Sequence, residues 1–238
     1  MAKNTSRVLI TGTDTQLGAA VRAYFTTAGA ATVGARALGA DTAALDDTQP
    51  SVCADPTLGA DVRAAVRTAA ATMGGLDTLV VAHPLPAIGR FGEQTMTEFW
   101  NHVDAVLTGS FLYAQAAAEV MRDNGSGGRI VLTTSTWHVG GENLSAVATA
   151  AGGIVALTKT LTRDFGRFGI GVNAVAVGAV DSEWSVCDAA ARGAPPPVGT
   201  SGTVEQVARV IGLLCQRQLG AAVGQIVNVD GGLSRNRV

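Results

Sequence analysis

RVLITGTDTQLGAAVRAYFTTAG occupies residues 7–29. Residues 7–12 are a short apolar run that reads as a buried strand. Residues 16–29 carry apolar side chains at helical spacing and stop at Gly29, as a helix with a C-terminal glycine does. The link between them, TGTDTQLG (11–18), keeps glycine at Gly12 and Gly18.

The same alternation continues to the end of the chain. ATVGAR (31–36) reads as a second strand and PSVCAD (50–55) as a weaker third. Residues 57–73 have helical periodicity, LDTLVVA (76–82) is a clear strand, and a long helix is predicted over about 96–122. DNGSGG (123–128) is a turn before strand RIVLTTS (129–135). Helix 145–166, strand GVNAVAV (171–177), helix 204–216 and strand QIVNVDGG (225–232) follow. Continuous apolar strands, each followed by a helix, predict a parallel sheet covered on both faces. The expected fold is a single doubly wound α/β domain over 1–238, Rossmann-type, with ligands at the carboxyl ends of the strands. Residues 181–202, containing GAPPPVGTSG, are the irregular segment; they read as a lid over that crevice or as a surface loop.

Composition narrows the function classes. Of 238 residues, 47% are hydrophobic and 15% charged, enough apolar material for one extensive core. A net charge of −2 gives no electrostatic case for nucleic acid or an anionic membrane. The three cysteines, Cys53, Cys187 and Cys215, are widely spaced without a CxxC, which argues against a disulfide framework and against a zinc site. No metal is expected. No apolar run reaches membrane-spanning length, and the first strand begins too early to leave room for a signal peptide. A cytoplasmic location is the expectation.

Six stretches in order resemble the short-chain dehydrogenase/reductase family. They are TGTDTQLG (11–18), GGLDTLVVAHP (74–84), AVLTGSFLYAQAAAEVM (105–121), GRIVLTTST (128–136), ALTKTLTRDFGRFGIGVNAVAVGAVDS (156–182) and VGQIVNVDGGLS (223–234). The resemblance implies a nicotinamide cofactor on the glycine turn. It also implies a tyrosine acid/base, a lysine one helical turn later, a serine that polarises a carbonyl, and an asparagine on the long helix.

The departures fall on that chemistry. Anchored on ALTK, the tyrosine position is Val147, the lysine position Ala151 and the asparagine position Val106. The serine position falls on Thr134 or Ser135. No shift of register restores the pair, because neither Tyr24 nor Tyr113 is followed by a lysine at helical spacing. In the glycine turn the middle glycine is Gln16, and Asp14 adds a negative charge. Gln16 either obstructs a pyrophosphate or swings aside and donates to it. Where the family carries NNAG, this chain has Val81, Ala82, His83 and Pro84. Arg36 would suit a 2′-phosphate and Asp55 matches an adenine contact; both equally suit a solvated surface.

The candidate cofactor-binding residues are therefore Gly12, Gln16, Gly18, Arg36, Asp55 and Ala82, as a degenerate site. No bound cofactor is expected, and NADP(H) is the one to consider if the altered turn still binds. Candidate catalytic residues are Ser135, Thr134, His138 and Glu142; His138 and Glu142, four apart, read as an acid/base pair or as a polar loop. His83, Trp137, Asp181, Glu183 and Trp184 also fall near the strand ends.

The leading expectation is a non-catalytic subunit. It would assemble with itself or with an active paralogue of the family through helices 96–122 and 145–166. The alternatives are a non-redox enzyme (cyclase, dehydratase, isomerase or lyase) acting on a small organic substrate in the old crevice, and an atypical NADP-dependent ketoreductase.

Overall fold

In a computed structural model, which describes residues 5–38, 49–82, 86–190 and 195–234, β1 (Arg7–Thr11) leads through the glycine turn into α1 (Gln16–Thr27). Then come β2 (Ala31–Ala37), β3 (Ser51–Ala54), α2 (Gly59–Met73), β4 (Thr78–Val81), α3 (Met96–Val103) and α4 (Gly109–Asp123). β5 (Gly128–Ser135), α5 (Ser145–Phe165), β6 (Ile170–Val177), β7 (Val180–Asp181) and α6 (Ser185–Ala190) follow. β8 (Gly202–Thr203), α7 (Val204–Leu214) and β9 (Ile226–Val229) complete the order.

The main sheet has seven strands in the order β3-β2-β1-β4-β5-β6-β9, all parallel. Successive side chains of a strand point to opposite faces, and the core divides accordingly. Leu9, Leu79, Ile130, Leu132 and Val172 pack under α2, α4 and α5. Val8, Ile10, Val80, Val131 and Val175 pack under α1 and α7. The strand order reverses between β1 and β4, which opens a crevice at their carboxyl ends. This is the predicted doubly wound architecture.

Two segments differ from the sequence expectation. The helix predicted over 96–122 is interrupted: a π-helical turn, Asp104–Thr108, separates α3 from α4, and the Gly109 N–H reaches back five residues to the Asp104 carbonyl. The segment 181–202 is not irregular throughout. β7 pairs in parallel with β8, and α6 lies between them. The Asp188 carboxylate secures this region by accepting from the Trp137 indole N–H (2.8 Å) and the Ala179 N–H (2.9 Å).

Candidate functional site

The glycine turn holds its shape through its own contacts. Thr15 caps α1: its hydroxyl accepts from the Gly18 N–H (3.1 Å) and donates to the Gly12 carbonyl (2.8 Å). A Cβ on Gly18 would lie 2.0 Å from the Gly12 carbonyl oxygen. Gly12 has φ +63°, and a Cβ there would meet the Ala82 carbonyl oxygen at 2.9 Å. Both glycines are thus required by the packing of helix on strand, with or without a ligand. Gln16 is exposed at the first helical position, and its N–H donates to Glu183 Oε1 at 2.7 Å. The other Glu183 oxygen is buried and has no partner among the described residues.

Beside this turn lies a shallow cleft lined by Gly12, Asp14, Arg36, Ala82, Ser110 and Tyr113 among others. Arg36 donates to the Ser51 hydroxyl at 3.0 Å. Asp55 does not line this cleft; Ala54 and Pro56 do. Its carboxylate accepts from the Thr57 N–H and hydroxyl (2.8 and 2.7 Å), and these bonds hold its pKa below the usual value. Burial pushes the Tyr113 phenol up to about 12, away from the near-neutral range in which a general acid or base works best.

Val106, Val147 and Ala151, the positions expected from the motifs to correspond to the family's asparagine, tyrosine and lysine, are 2%, 1% and 4% exposed. Val147 packs with Leu144, Cys187, Trp137 and Trp184 in a closed apolar cluster. The Thr134 hydroxyl donates to the Ala151 carbonyl at 3.0 Å. The Ser135 hydroxyl is buried and accepts from the Trp137 N–H at 3.2 Å. Both candidate hydroxyls are therefore engaged with backbone. His138 is half-buried, with Nδ1 2.9 Å from the Ser135 carbonyl oxygen, while Glu142 is exposed on the following turn. Asp181 is exposed on β7. His83 and Pro84 lie outside the described residues. Among the described residues no group of three His, Cys, Asp or Glu could hold a metal, and no helix is long and apolar enough to cross a membrane.

His102 escaped sequence reasoning. It lies in the last turn of α3, is 4% exposed and faces the Trp184 ring, with centroids 6.4 Å apart. Its Nε2 has no partner among the described residues, and burial drives its pKa down to about 4. The sequence signal was faint: His102 falls four residues before the buried Val106, on one helical face.

A family model described as enoyl-(acyl carrier protein) reductase matches residues 14–234. The chain belongs to the short-chain dehydrogenase/reductase family. Among its relatives in that family is the 2-(S)-hydroxypropyl-CoM dehydrogenase 3 of Xanthobacter autotrophicus. The two are 31% identical over 192 residues, which is 76% of this chain and 75% of that protein. Another, from the same organism, is named inactive 2-(S)-hydroxypropyl-CoM dehydrogenase 2; it is 29% identical over 194 residues, 77% of this chain and 84% of that protein. A crystal structure of a short-chain type dehydrogenase/reductase from Mycobacterium marinum superimposes with a TM-score of 0.88 at 28% identity, covering 96% of this chain and 95% of that one.

Short-chain dehydrogenase/reductases typically bind NAD(P). The residues of this chain match that group only in part. The cleft at Arg36 and Tyr113 lies on the adenosine side. The N-terminus of α1, where the phosphates would sit, is taken by Glu183, with Asp14 exposed on the same turn. With the side chains as placed, the phosphate end does not fit a dinucleotide.

Proposed function

We propose that this chain is a non-catalytic subunit that assembles with an active short-chain dehydrogenase/reductase. The observation that carries the reading is the closed apolar cluster around Val147. A vacated tyrosine position in a repurposed enzyme would be expected to open onto a substrate crevice. Here the valine is packed against Leu144, Cys187 and two tryptophans. Replacing a phenol and an ammonium by apolar groups also removes polar atoms that would be costly to bury unpaired. The Thr134 and Ser135 hydroxyls, tied to backbone, hold β5 to α5 and shape the turn after it. The Thr134 proton is thereby committed to the Ala151 carbonyl, while Ser135 acts as an acceptor in the turn.

The surface supports assembly. Met96 and Trp100 on α3 and Phe111 on α4 are exposed large apolar side chains on the predicted assembly helices. In this family those helices pack against their counterparts in a second subunit. A relative named as an inactive dehydrogenase supports the view that such chains persist in the family.

The test is co-expression with an active family member from the same genome, followed by size-exclusion chromatography with light scattering. A stable heteromer, weakened by Trp100→Asp and accompanied by altered partner kinetics, is expected. A homo-oligomer that excludes every such member supplied would refute the reading.

A further inference from the structure

We propose that Glu183 is a built-in substitute for the cofactor's phosphates: the chain fills its own anion site at the N-terminus of α1 and thereby excludes dinucleotides. This goes beyond the loss of catalytic residues, because it concerns binding and a residue on another part of the chain.

A helix N-terminus offers backbone N–H groups without intrahelical partners, at the positive end of the helix dipole. In α1 the Gly18 N–H is already satisfied by the Thr15 hydroxyl. The Gln16 N–H is left for an anion, and the Glu183 carboxylate takes it at 2.7 Å. A hydrogen bond from an amide to a carboxylate is of the charge-assisted kind, stronger than one between neutral groups. The carboxylate is tethered, so its local concentration at the site far exceeds that of a free ligand.

The segment that presents Glu183 is held independently of that contact. Ala179, just before β7, has φ +46°, in the left-handed region that non-glycine residues seldom adopt. Its N–H is fixed by Asp188, which also holds Trp137. The β7–β8 pairing anchors the next residues. The Ser182 hydroxyl accepts from the Trp184 N–H and the Ser182 carbonyl from the Ser185 N–H, closing a tight turn around Glu183. Strain maintained by several separate contacts marks a segment whose placement matters. A dinucleotide would have to displace this carboxylate and bring its own negative charges beside Asp14, which lines the adjoining cleft.

Calorimetric titration of the purified full chain with NADPH and with NADH tests the assignment, using wild type, Glu183→Gln and Glu183→Ala. The glutamine is nearly isosteric and removes only the charge; the alanine also clears the volume. Melting curves establish that each variant is folded. At least one nucleotide is expected to bind both variants more tightly than wild type, by about tenfold or more for the alanine. If neither variant gains affinity for either nucleotide, the assignment is overturned, whether wild type binds or not. Because the readout is affinity without turnover or partner, this result stands apart from the heteromer experiment above.

Discussion

His102 should make this protein sensitive to mild acid, and replacing it by glutamine should remove that sensitivity. Burial lowers the imidazole pKa from 6.5 to about 4. The folded state therefore favours the neutral ring, while the unfolded chain accepts a proton more readily. Stability from this group is complete above the unfolded pKa and drains away as pH falls through 6.5 toward 4. The difference between the two values corresponds to roughly 3 kcal/mol, of which about 2 is lost by about pH 4.5. For a domain of this size about 2 kcal/mol is worth roughly 5 °C in melting temperature. The assay is urea unfolding of wild type and His102→Gln at several pH values between neutrality and that point. The carboxylates that titrate over the same range are common to both proteins, so their contribution cancels in the difference. The wild-type curve should fall below its neutral value by about 2 kcal/mol more than the variant's. Parallel curves would mean that His102 takes up its proton without cost, and that the burial argument is wrong.

Three further outcomes follow from the geometry. Gly18→Ala should lose about 3 kcal/mol or more, or fail to fold, because its Cβ would collide with the Gly12 carbonyl; Gln16→Ala on the exposed side should change stability by no more than about 0.5 kcal/mol. Denaturant titration of both checks the claim that the surviving glycines serve packing. Asp188→Ala should cost about 2–3 kcal/mol by stranding the Trp137 indole and the Ala179 amide, read by the same method and by a change in tryptophan fluorescence. The double variant Val147→Tyr, Ala151→Lys should show no NADPH-dependent reduction of a ketone panel and should lose about 2 kcal/mol or more from overpacking. Turnover by that variant would show that the closed cluster and Glu183 do not keep the site shut.

Much of the fold was legible because its signals are local. The strand at 7–12, its glycine turn and the helix after it depend on periodicity and on residues at neighbouring positions. The absence of a tyrosine–lysine pair at helical spacing was legible for a stronger reason. With Tyr24 and Tyr113 as the tyrosines and Lys3 and Lys159 as the lysines, no arrangement of this chain can supply the pair four residues apart. The role of Asp55 was less legible: the motif places it near the cleft, but Thr57, two residues on, captures its carboxylate. The π-turn at Asp104–Thr108 was hidden because it rests on backbone hydrogen bonding, which no side-chain pattern records.

By itself, the sequence determined a parallel α/β domain of the dehydrogenase type in which no tyrosine is followed by a lysine four residues later. Those conclusions need only spacing and composition. Only the tertiary structure decided which side chains meet at the strand ends. Glu183 reaches Gln16 across 167 positions of chain, Trp184 closes over His102, and Asp188 joins Trp137 to Ala179. Such contacts exist because the parallel sheet delivers the carboxyl ends of distant strands to one edge. No pattern within a single helix or strand records which side chains will meet there.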